Sequence, residues 1–542
     1  MKKRMARLTA LVLAVCVCFS GCALDFRGLY DGIVGLIQTN SRGENREPTR
    51  LSEIPYVRPE PERLQSLLEK LQSAAEAGNL GGLINAYNAL VQACDQFYTR
   101  QAVAQLHYDM DLTDTYWAEE SQFCTGMASQ VSSILEDAYR AMAASPLRET
   151  LEGEDYFGAG AFDGYDGEKR LSDEILSLMD RESELQDEYY TLSSQAAGLY
   201  GEERYDAVAQ PMAEVLAELV SVRRALAAAC GYDSYAAFVY ENDYYRDYTP
   251  EQVSAYLDEI AGELSGIYRQ VAERGESFFS TRYFPEKQTL LYVKNAANQM
   301  GGEIAEAYSF LEAGELYDLT YSPNKYQASY EIYLSEYEEP FILMNPEQTE
   351  YDCLTFSHEF GHFAADYVSM GAVSSIDIQE VMSQAMEYLT LAYSGYPQRL
   401  TRGKLSDSLG TYVEQAFYAS FEAELYTREN LTAADMFEIY AKQAEKFGLA
   451  SEDLDPRELV TITHFYTNPM YIVSYIVSND AAMDIFRMEQ SEPGSGLTCY
   501  TQAMEIEEDS LLAFLEAAGL ESPFTPGRLR TVGELFRSAL LS

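Results

Sequence analysis

Basic residues are scarce in this 542-residue sequence. Lysine and arginine together number 38 against 87 aspartates and glutamates, which gives a formal net charge of −49. A surface this negative repels phosphate backbones, so the composition argues against a nucleic-acid-binding protein. Hydrophobic residues make up 47% of the chain and charged residues 23%, which is a globular composition and excludes a disordered chain.

Closely spaced cysteine pairs are also missing after residue 22. Cys94, Cys124, Cys230, Cys353 and Cys499 are widely separated, and the sequence contains no Cys-x-x-Cys pair. Neither a zinc knuckle nor a dithiol redox site is therefore indicated. A disulfide between Cys94 and Cys124 stays open as an alternative, but we expect buried thiols.

After the N-terminal stretch, no apolar run approaches the roughly 18 residues of a transmembrane helix. The N-terminus begins with several lysines and arginines, followed by an apolar stretch over residues 8–19. This stretch is too short for a permanent membrane span and is typical of an export signal. Phe19-Ser20-Gly21-Cys22 resembles a bacterial lipobox, although an ordinary signal peptide cut near Ala23 is the alternative. We expect an extracytoplasmic protein held at the bacterial membrane by a lipid on Cys22, or else a secreted one.

The remaining chain divides by its composition and periodicity. Residues 1–22 form the predicted lipoprotein signal, and residues 23–60, which contain several prolines, are predicted to be a flexible spacer. Helical periodicity begins after this spacer, and we expect an N-terminal helical region over residues 61–200 and a second region over residues 201–542. Residues 152–167 are rich in glycine and aspartate and are predicted to form an acidic surface loop.

Two short runs interrupt the helical pattern. Tyr330, Ile332 and Leu334 alternate with polar residues, and residues 340–344 form a compact apolar run. This pattern predicts two strands joined through residues 336–339. The fold class is therefore mainly α, with one small sheet.

Two of the four histidines lie four residues apart, at His358 and His362, with Glu359 after the first. Residues four apart share a helix face, so both imidazoles can bind one metal ion. Glu359 lies beside that face, where its carboxylate can take a proton from a water molecule at the ion. Phe360 and Phe363 make the helix apolar and therefore buried, which disfavours a coincidental pair on a solvated helix.

A catalytic zinc ion needs a third protein ligand and an open coordination position. Downstream, Glu380, Gln384 and Glu387 share one face of a predicted helix. A solvated acidic face is the alternative, but Val381 and Met382 indicate a packed helix. We assign the third ligand to Glu380 and expect Glu387 to orient one of the histidines.

Taken together, these motifs resemble the M3 peptidases, the family of thimet oligopeptidase and oligoendopeptidase F, and look most like its oligoendopeptidase F branch. Residues 340–362 are similar to the family's strand, loop and metal helix, and residues 380–387 match its third-ligand helix. Residues 464–475 look like its C-terminal His/Tyr segment, and parts of residues 231–251 resemble its N-terminal half. The resemblance covers roughly residues 60 to 540.

The resemblance implies a two-lobed helical ellipsoid with a deep central channel and one small sheet beside the metal helix. Residues 201–542 then form the catalytic region, and the channel admits short unfolded peptides. The strand near residues 330–333 is expected to pair with the substrate backbone.

The resemblance also implies one zinc ion per chain, bound by the two histidines and a glutamate, and a base at Glu359. His464, with Tyr471 or Tyr475, resembles the family's donors that stabilise the oxyanion and the substrate. The spacer between His362 and the third-ligand helix is shorter than usual, so counting alone favours Glu387 as ligand. We keep Glu380, because loops tolerate deletions better than ligand helices tolerate a register change.

The sequence thus predicts a monomeric zinc metalloendopeptidase that hydrolyses short unfolded oligopeptides. A peptide-binding lipoprotein without catalysis is one alternative, which the intact Glu359 argues against. A zinc amidase that acts on cell-wall peptides is a second alternative, because the expected extracytoplasmic location would bring the protein to the cell wall.

Overall fold

The computed structural model describes residues 47–542 except 154–155, 166–171, 197–198, 200, 281, 372–374, 396–397 and 450–453. The predicted signal, Cys22 and the first part of the predicted spacer lie outside the described residues. The fold is mainly helical with one small sheet, which confirms the predicted fold class.

Helices make up the chain up to the sheet. They are α1 (Pro61–Glu76), α2 (Leu80–Met110), α3 (Thr115–Ala143), α4 (Arg148–Leu151), α5 (Asp173–Gln195), α6 (Gly201–Ala229), α7 (Tyr235–Asn242), α8 (Pro250–Glu263), α9 (Ser265–Arg274), α10 (Glu286–Met300) and α11 (Gly302–Gly314). Short 3₁₀ helices cover Leu51–Glu53 and Asp163–Tyr165.

Helices also make up the chain after the sheet. They are α12 (Asp352–Ser369), α13 (Ile376–Tyr393), α14 (Gln398–Tyr426), α15 (Ala433–Phe447), α16 (His464–Thr467), α17 (Ile472–Ser491), α18 (Ser495–Ala503), α19 (Leu511–Ala518) and α20 (Arg528–Leu540). A 3₁₀ helix covers Pro456–Thr461.

The sheet has the strands β1 (Tyr317–Asp318), β2 (Ser329–Leu334) and β3 (Glu339–Met344) in the order β1-β3-β2. β2 and β3 form the predicted antiparallel hairpin, while β1 pairs with β3 in parallel. All six residues of β3 are buried, so this central strand anchors the sheet in the core. β1 was not predicted, because two residues are too few to show an alternating pattern.

Local capping signals fix several helix ends. Thr249 and Gln252 form a capping box at the start of α8, with Pro250 in the first turn. Gly231 follows α6 with a positive φ of 89°, as expected for a glycine that ends a helix. Both helix ends therefore follow from the residue types at these positions.

Residues 47–60 do not behave as a free spacer. Leu51 and Ile54 are buried in the core, and the Tyr56 hydroxyl donates to Glu120 Oε2 at 2.7 Å. The spacer prediction is therefore wrong for these residues, because their apolar side chains find a surface to pack on.

The acidic loop prediction for residues 152–167 is also only partly right. Phe157 and Phe162 are buried and their rings pack 5.1 Å apart, so the aromatic residues of this segment join the core. Because glycine and aspartate are abundant in this segment, its composition did not indicate that these aromatic rings are buried.

Buried apolar side chains form two clusters. The smaller lies within residues 64–165, and the larger takes in α5 and the elements after it, with parts of α2 and Leu51 and Ile54. The predicted boundary at residue 200 stays a prediction. None of the described helices has the length and apolar character needed to cross a bilayer.

The cysteines of the described chain are free thiols. Cys94, Cys124, Cys353 and Cys499 are buried and Cys230 is half-buried. The Cys94–Cys124 disulfide, which the sequence left as an alternative, is not formed. The expected buried thiols are confirmed at four of these positions.

Helices α12 and α13 cross at Gly361. A Cβ atom at this position would lie 2.5 Å from the Cα of Ser383 and 2.8 Å from the carbonyl oxygen of Met382. These are backbone atoms, which cannot rotate away as a flexible side chain can. The absence of a side chain at Gly361 therefore sets how closely the two helices approach.

We predict that Gly361→Ala lowers the free energy of unfolding by about 1–3 kcal/mol, because the added methyl group forces the helices apart. Gly126→Ala is the matched control, since Gly126 lies within α3 with no atom near its Cβ position. The control should be neutral or stabilise by about 0.5–1 kcal/mol. Equal denaturation midpoints for the two variants would contradict the close crossing.

Candidate metal centre and active site

The crossing of α12 and α13 brings three of the predicted site residues together. His358, His362 and Glu380 each offer one ligand atom, and these atoms lie within 4.8 Å of one another. The two imidazole rings are 5.0 Å apart between centroids, and His358 Nε2 lies 3.6 Å from Glu380 Oε2. The structure thus gathers the two histidines and the glutamate that the sequence nominated.

The chemistry of this group fits a cation. Glu380 Oε2 is buried and accepts no hydrogen bond from the described residues, while Glu380 Oε1 accepts one from the Tyr471 hydroxyl at 3.2 Å. Burial, together with the neighbouring His358, lowers the pKa of His362, so its imidazole is neutral and can donate a lone pair. Two imidazoles and one carboxylate are a ligand set typical of catalytic zinc.

Glu387 lies on the other side of His358. Its Oε1 atom is 3.1 Å from His358 Nδ1, and its Oε2 atom is 2.8 Å from the buried Lys404 Nζ. Burial alone would raise the pKa of Glu387, but Lys404 and His358 outweigh it and lower that pKa. An ionised Glu387 favours the His358 tautomer that carries its proton on Nδ1. The Nε2 atom, which faces Glu380, then keeps its lone pair.

The pKa of His358 reports the charge imbalance of the site. Burial disfavours the imidazolium, but Glu387, Glu380 and Glu359 outweigh it and raise the pKa to about 9. Three carboxylates thus converge on one imidazole, a concentration of negative charge that a bound cation can offset.

Glu359 is buried beside the histidines. Burial, with Glu380 and Glu387 nearby, raises its pKa to about 7 against the opposing effect of His358. The backbone N–H of Glu331 in β2 donates to its carboxylate and ties it to the sheet. A carboxylate with a pKa near neutrality can both accept and return a proton, as a general base must.

The C-terminal residues form an adjoining cluster. The Tyr475 hydroxyl lies 3.4 Å from His464 Nε2, and the ring of His464 lies 5.4 Å from that of Tyr471. Burial lowers the pKa of His464 and raises that of Tyr471, so the imidazole is neutral and the phenol is protonated. Both tyrosines can therefore donate hydrogen bonds near neutral pH.

A cavity of about 750 Å³ opens beside the metal residues. Its lining comes from α9, α12, α13, α14 and α17 and includes His358, Glu359, Gln384, Glu387 and Tyr475. The predicted base and one predicted donor thus share one space with a metal-site histidine. This cavity lies where the central channel was expected.

Comparison with known proteins agrees with this geometry. Residues 51–170 match the family model "Peptidase M3 N-terminal domain", and residues 310–503 match "Peptidase family M3". Together the two matches cover more than half of the chain. The chain belongs to the M3 peptidase family. This M3 peptidase is therefore a metallopeptidase, a hydrolase of peptide bonds. No curated protein matches the sequence.

Solved structures share the fold. PZ peptidase A, solved with an inhibitor, has a TM-score of 0.75 at 20% identity, over 91% of this chain and 99% of its own. A Bacillus anthracis str. Ames structure described as oligoendopeptidase F has a TM-score of 0.71 at 19% identity, over 91% and 98%. Oligoendopeptidase F from Enterococcus faecium has a TM-score of 0.53 at 15% identity, over 89% and 96%. At these identities the likeness concerns the fold.

Sequence reasoning missed Lys404. This residue is 3% exposed, and its ammonium group is held by Glu387 and, at 3.5 Å, by Asp407. A single lysine on a separate helix carries no spacing signal that links it to the metal motif. The link appears only when α14 packs against α13.

We predict that Lys404→Met weakens zinc binding by about 10–100-fold, since Glu387 loses the charge that keeps it ionised toward His358. Lys294→Met, which removes a part-exposed lysine paired with Glu312, is the matched control and should bind zinc normally. Zinc titration of the two folded variants checks this. Equal affinities would mean that Lys404 has no part in holding the metal residues.

Proposed function

We propose that this M3 peptidase is a zinc endopeptidase that cuts short unfolded oligopeptides. The observation that carries the proposal is the group formed by His358, His362 and Glu380 beside a buried Glu359, at a cavity large enough for a peptide segment. These residues would hold the zinc ion. Bound there, zinc supplies Lewis-acid polarisation of the scissile carbonyl and lowers the pKa of a water molecule.

Glu359 accepts the proton of the attacking water and later delivers it to the leaving amine. Its pKa of about 7 suits both steps, because burial and the nearby acids bring the two protonation states close in free energy near neutral pH. The hydrogen bond from the backbone of Glu331 keeps the carboxylate aimed toward the histidines.

Tyr475 and Tyr471 donate hydrogen bonds to the oxygen on which negative charge develops, with His464 supporting Tyr475. The support for this role is the position of the Tyr475 side chain in the wall of the cavity and its contact with His464. Tyr471 contacts Glu380 directly, so its hydroxyl lies beside the proposed metal ligands.

The substrate class follows from the shape of the cavity and its charge. β2 is one of the two outer strands of the sheet, and an outer strand can pair with an extended peptide. A cavity of about 750 Å³ suits a short peptide segment and not a folded domain. The strongly negative net charge attracts basic peptides over a long range and repels acidic ones.

We predict that Glu359→Gln retains zinc but loses about 10²–10⁴-fold in kcat on quenched peptides, because the amide cannot take a proton. Glu516→Gln, at an exposed position of α19, is the matched control and should be fully active. A chelator should abolish wild-type hydrolysis, and added zinc should restore it. Undiminished turnover in Glu359→Gln would remove Glu359 from the proposed role.

The two alternatives give different results with the same protein. A peptide-binding lipoprotein would bind peptides and cleave none, whereas an amidase would cleave cell-wall peptides in preference to linear oligopeptides. A panel of both substrate types therefore separates them from the proposed endopeptidase.

We also propose that the protein acts outside the cytoplasm, tethered by a lipid at Cys22. The support is the basic and apolar N-terminal sequence followed by Phe19-Ser20-Gly21-Cys22. We predict that Cys22→Ala moves the protein from the membrane fraction to the soluble extracytoplasmic fraction, whereas Cys18→Ala leaves it at the membrane. Membrane retention of the Cys22→Ala protein would count against the anchor.

A further inference from the structure

The segment that carries the proposed donors is held by side chains from distant parts of the chain. Arg223 of α6 donates to the carbonyl oxygens of Phe465 at 2.8 Å and Tyr466 at 2.5 Å. The Tyr244 hydroxyl donates to the carbonyl oxygen of Pro469 at 2.8 Å. The backbone that presents His464 and Tyr471 is therefore anchored to α6 and to the segment that follows α7.

The residue just before Tyr471 has an unusual backbone conformation. Met470 has a φ of +64°, in the left-handed region that side-chain-bearing residues rarely adopt. Two buried side chains, Glu422 and Arg246, hold Met470 in this conformation. Its N–H donates to Glu422 Oε1 at 3.0 Å, and its carbonyl oxygen accepts from Arg246 Nη1 at 3.0 Å. Such strain persists only where the surroundings over-determine it, and it is common at functional sites.

Arg246 reaches the third-ligand helix as well. Its side chain is fully buried, and Nε lies 3.5 Å from Asp377 Oδ2, one turn before Glu380 on α13. The Tyr248 hydroxyl donates to the same oxygen at 2.7 Å. Arg246 Nη2 donates to Ser474 Oγ at 2.9 Å at the start of α17. One guanidinium thus contacts both α13 and the segment that leads into α17.

The two elements that Arg246 joins meet again at the site, where the Tyr471 hydroxyl lies 3.2 Å from Glu380 Oε1. We propose that Arg246 is a positioning residue that fixes Tyr471 relative to Glu380 by clamping Met470 and Asp377 at once. The planar fork of arginine can make these contacts together, whereas the point charge of lysine cannot. The proposal rests on the donor role that the proposed function gives to Tyr471.

A double-mutant cycle between Arg246→Lys and Tyr471→Phe tests whether Arg246 acts through Tyr471. We expect Tyr471→Phe to lower kcat about 10²-fold, since it removes a donor to the transition state. Arg246→Lys should lower kcat about 10-fold with little change in KM, because the hydroxyl is misplaced and not lost. In the Tyr471→Phe background, Arg246→Lys should then change kcat by less than about 2-fold.

Arg528→Lys is the matched control, because Arg528 is as buried as Arg246 but pairs with Asp480 and Asp484 of α17 and with Glu521. It should lower thermal stability as Arg246→Lys does while kcat stays at the wild-type value. Zinc content should be equal in all variants. Should Arg246→Lys not fold, Asp377→Asn replaces it in the cycle, since it removes the ion pair of Arg246 with α13 and keeps the hydrogen bond to the Met470 carbonyl.

Each outcome decides the matter. Losses in kcat that multiply in the double variant would overturn the inference, since Arg246 would then act independently of Tyr471. Full activity in Tyr471→Phe would remove the donor role of Tyr471 and the inference with it, while the Glu359 result still tests the peptidase by itself. Arg246→Lys could keep the wild-type kcat while Tyr471→Phe lowers kcat as expected. This result would reject the positioning role of Arg246 and leave the donor role of Tyr471 in place.

Discussion

The close crossing of α12 and α13 is the constraint on which the active site depends. Two imidazoles on one helix can bind a cation only if a carboxylate on the next helix comes within a few ångströms. Gly361 lies between His358 and His362 and permits that distance, because its missing side chain leaves room for the backbone of Ser383. A packing requirement in the core and a chemical requirement at the site are thus met by one residue.

The interior of the protein contrasts with its acidic composition. Several buried acids have a buried cationic partner that holds them in place. Lys404 holds Glu387, Arg246 holds Asp377, and Arg223 holds Glu182 at 2.6 Å. Removing one member of such a pair leaves an uncompensated buried charge, which is strongly destabilising. The few basic residues of the sequence therefore matter more than their number suggests.

The sequence was informative wherever local spacing carries the chemistry. The histidine pair, the third-ligand helix, the β2–β3 hairpin and the capping box at Thr249 all follow from patterns within a few residues. The placement of Glu380 near the histidines and of Glu387 at His358 Nδ1 agrees with the predicted arrangement.

Long-range packing could not be predicted in the same way. Lys404 and Arg246 reach the site from separate helices and loops, so no spacing in the chain relates them to the metal motif. The burial of Leu51 in the expected spacer, and of Phe157 in the expected surface loop, depends on surfaces that exist only after folding. Single apolar residues in polar surroundings do not reveal such anchors.

The most direct test of the central claim compares zinc titrations of the wild type, Glu380→Gln and Glu387→Gln. If α13 supplies the third ligand through Glu380, the wild type binds one zinc ion per chain, and Glu380→Gln loses tight binding altogether. Glu387→Gln should retain the site with an affinity reduced by about 10–100-fold. Tight, stoichiometric binding by Glu380→Gln would contradict the account, because the two histidines would then bind the metal with some other partner.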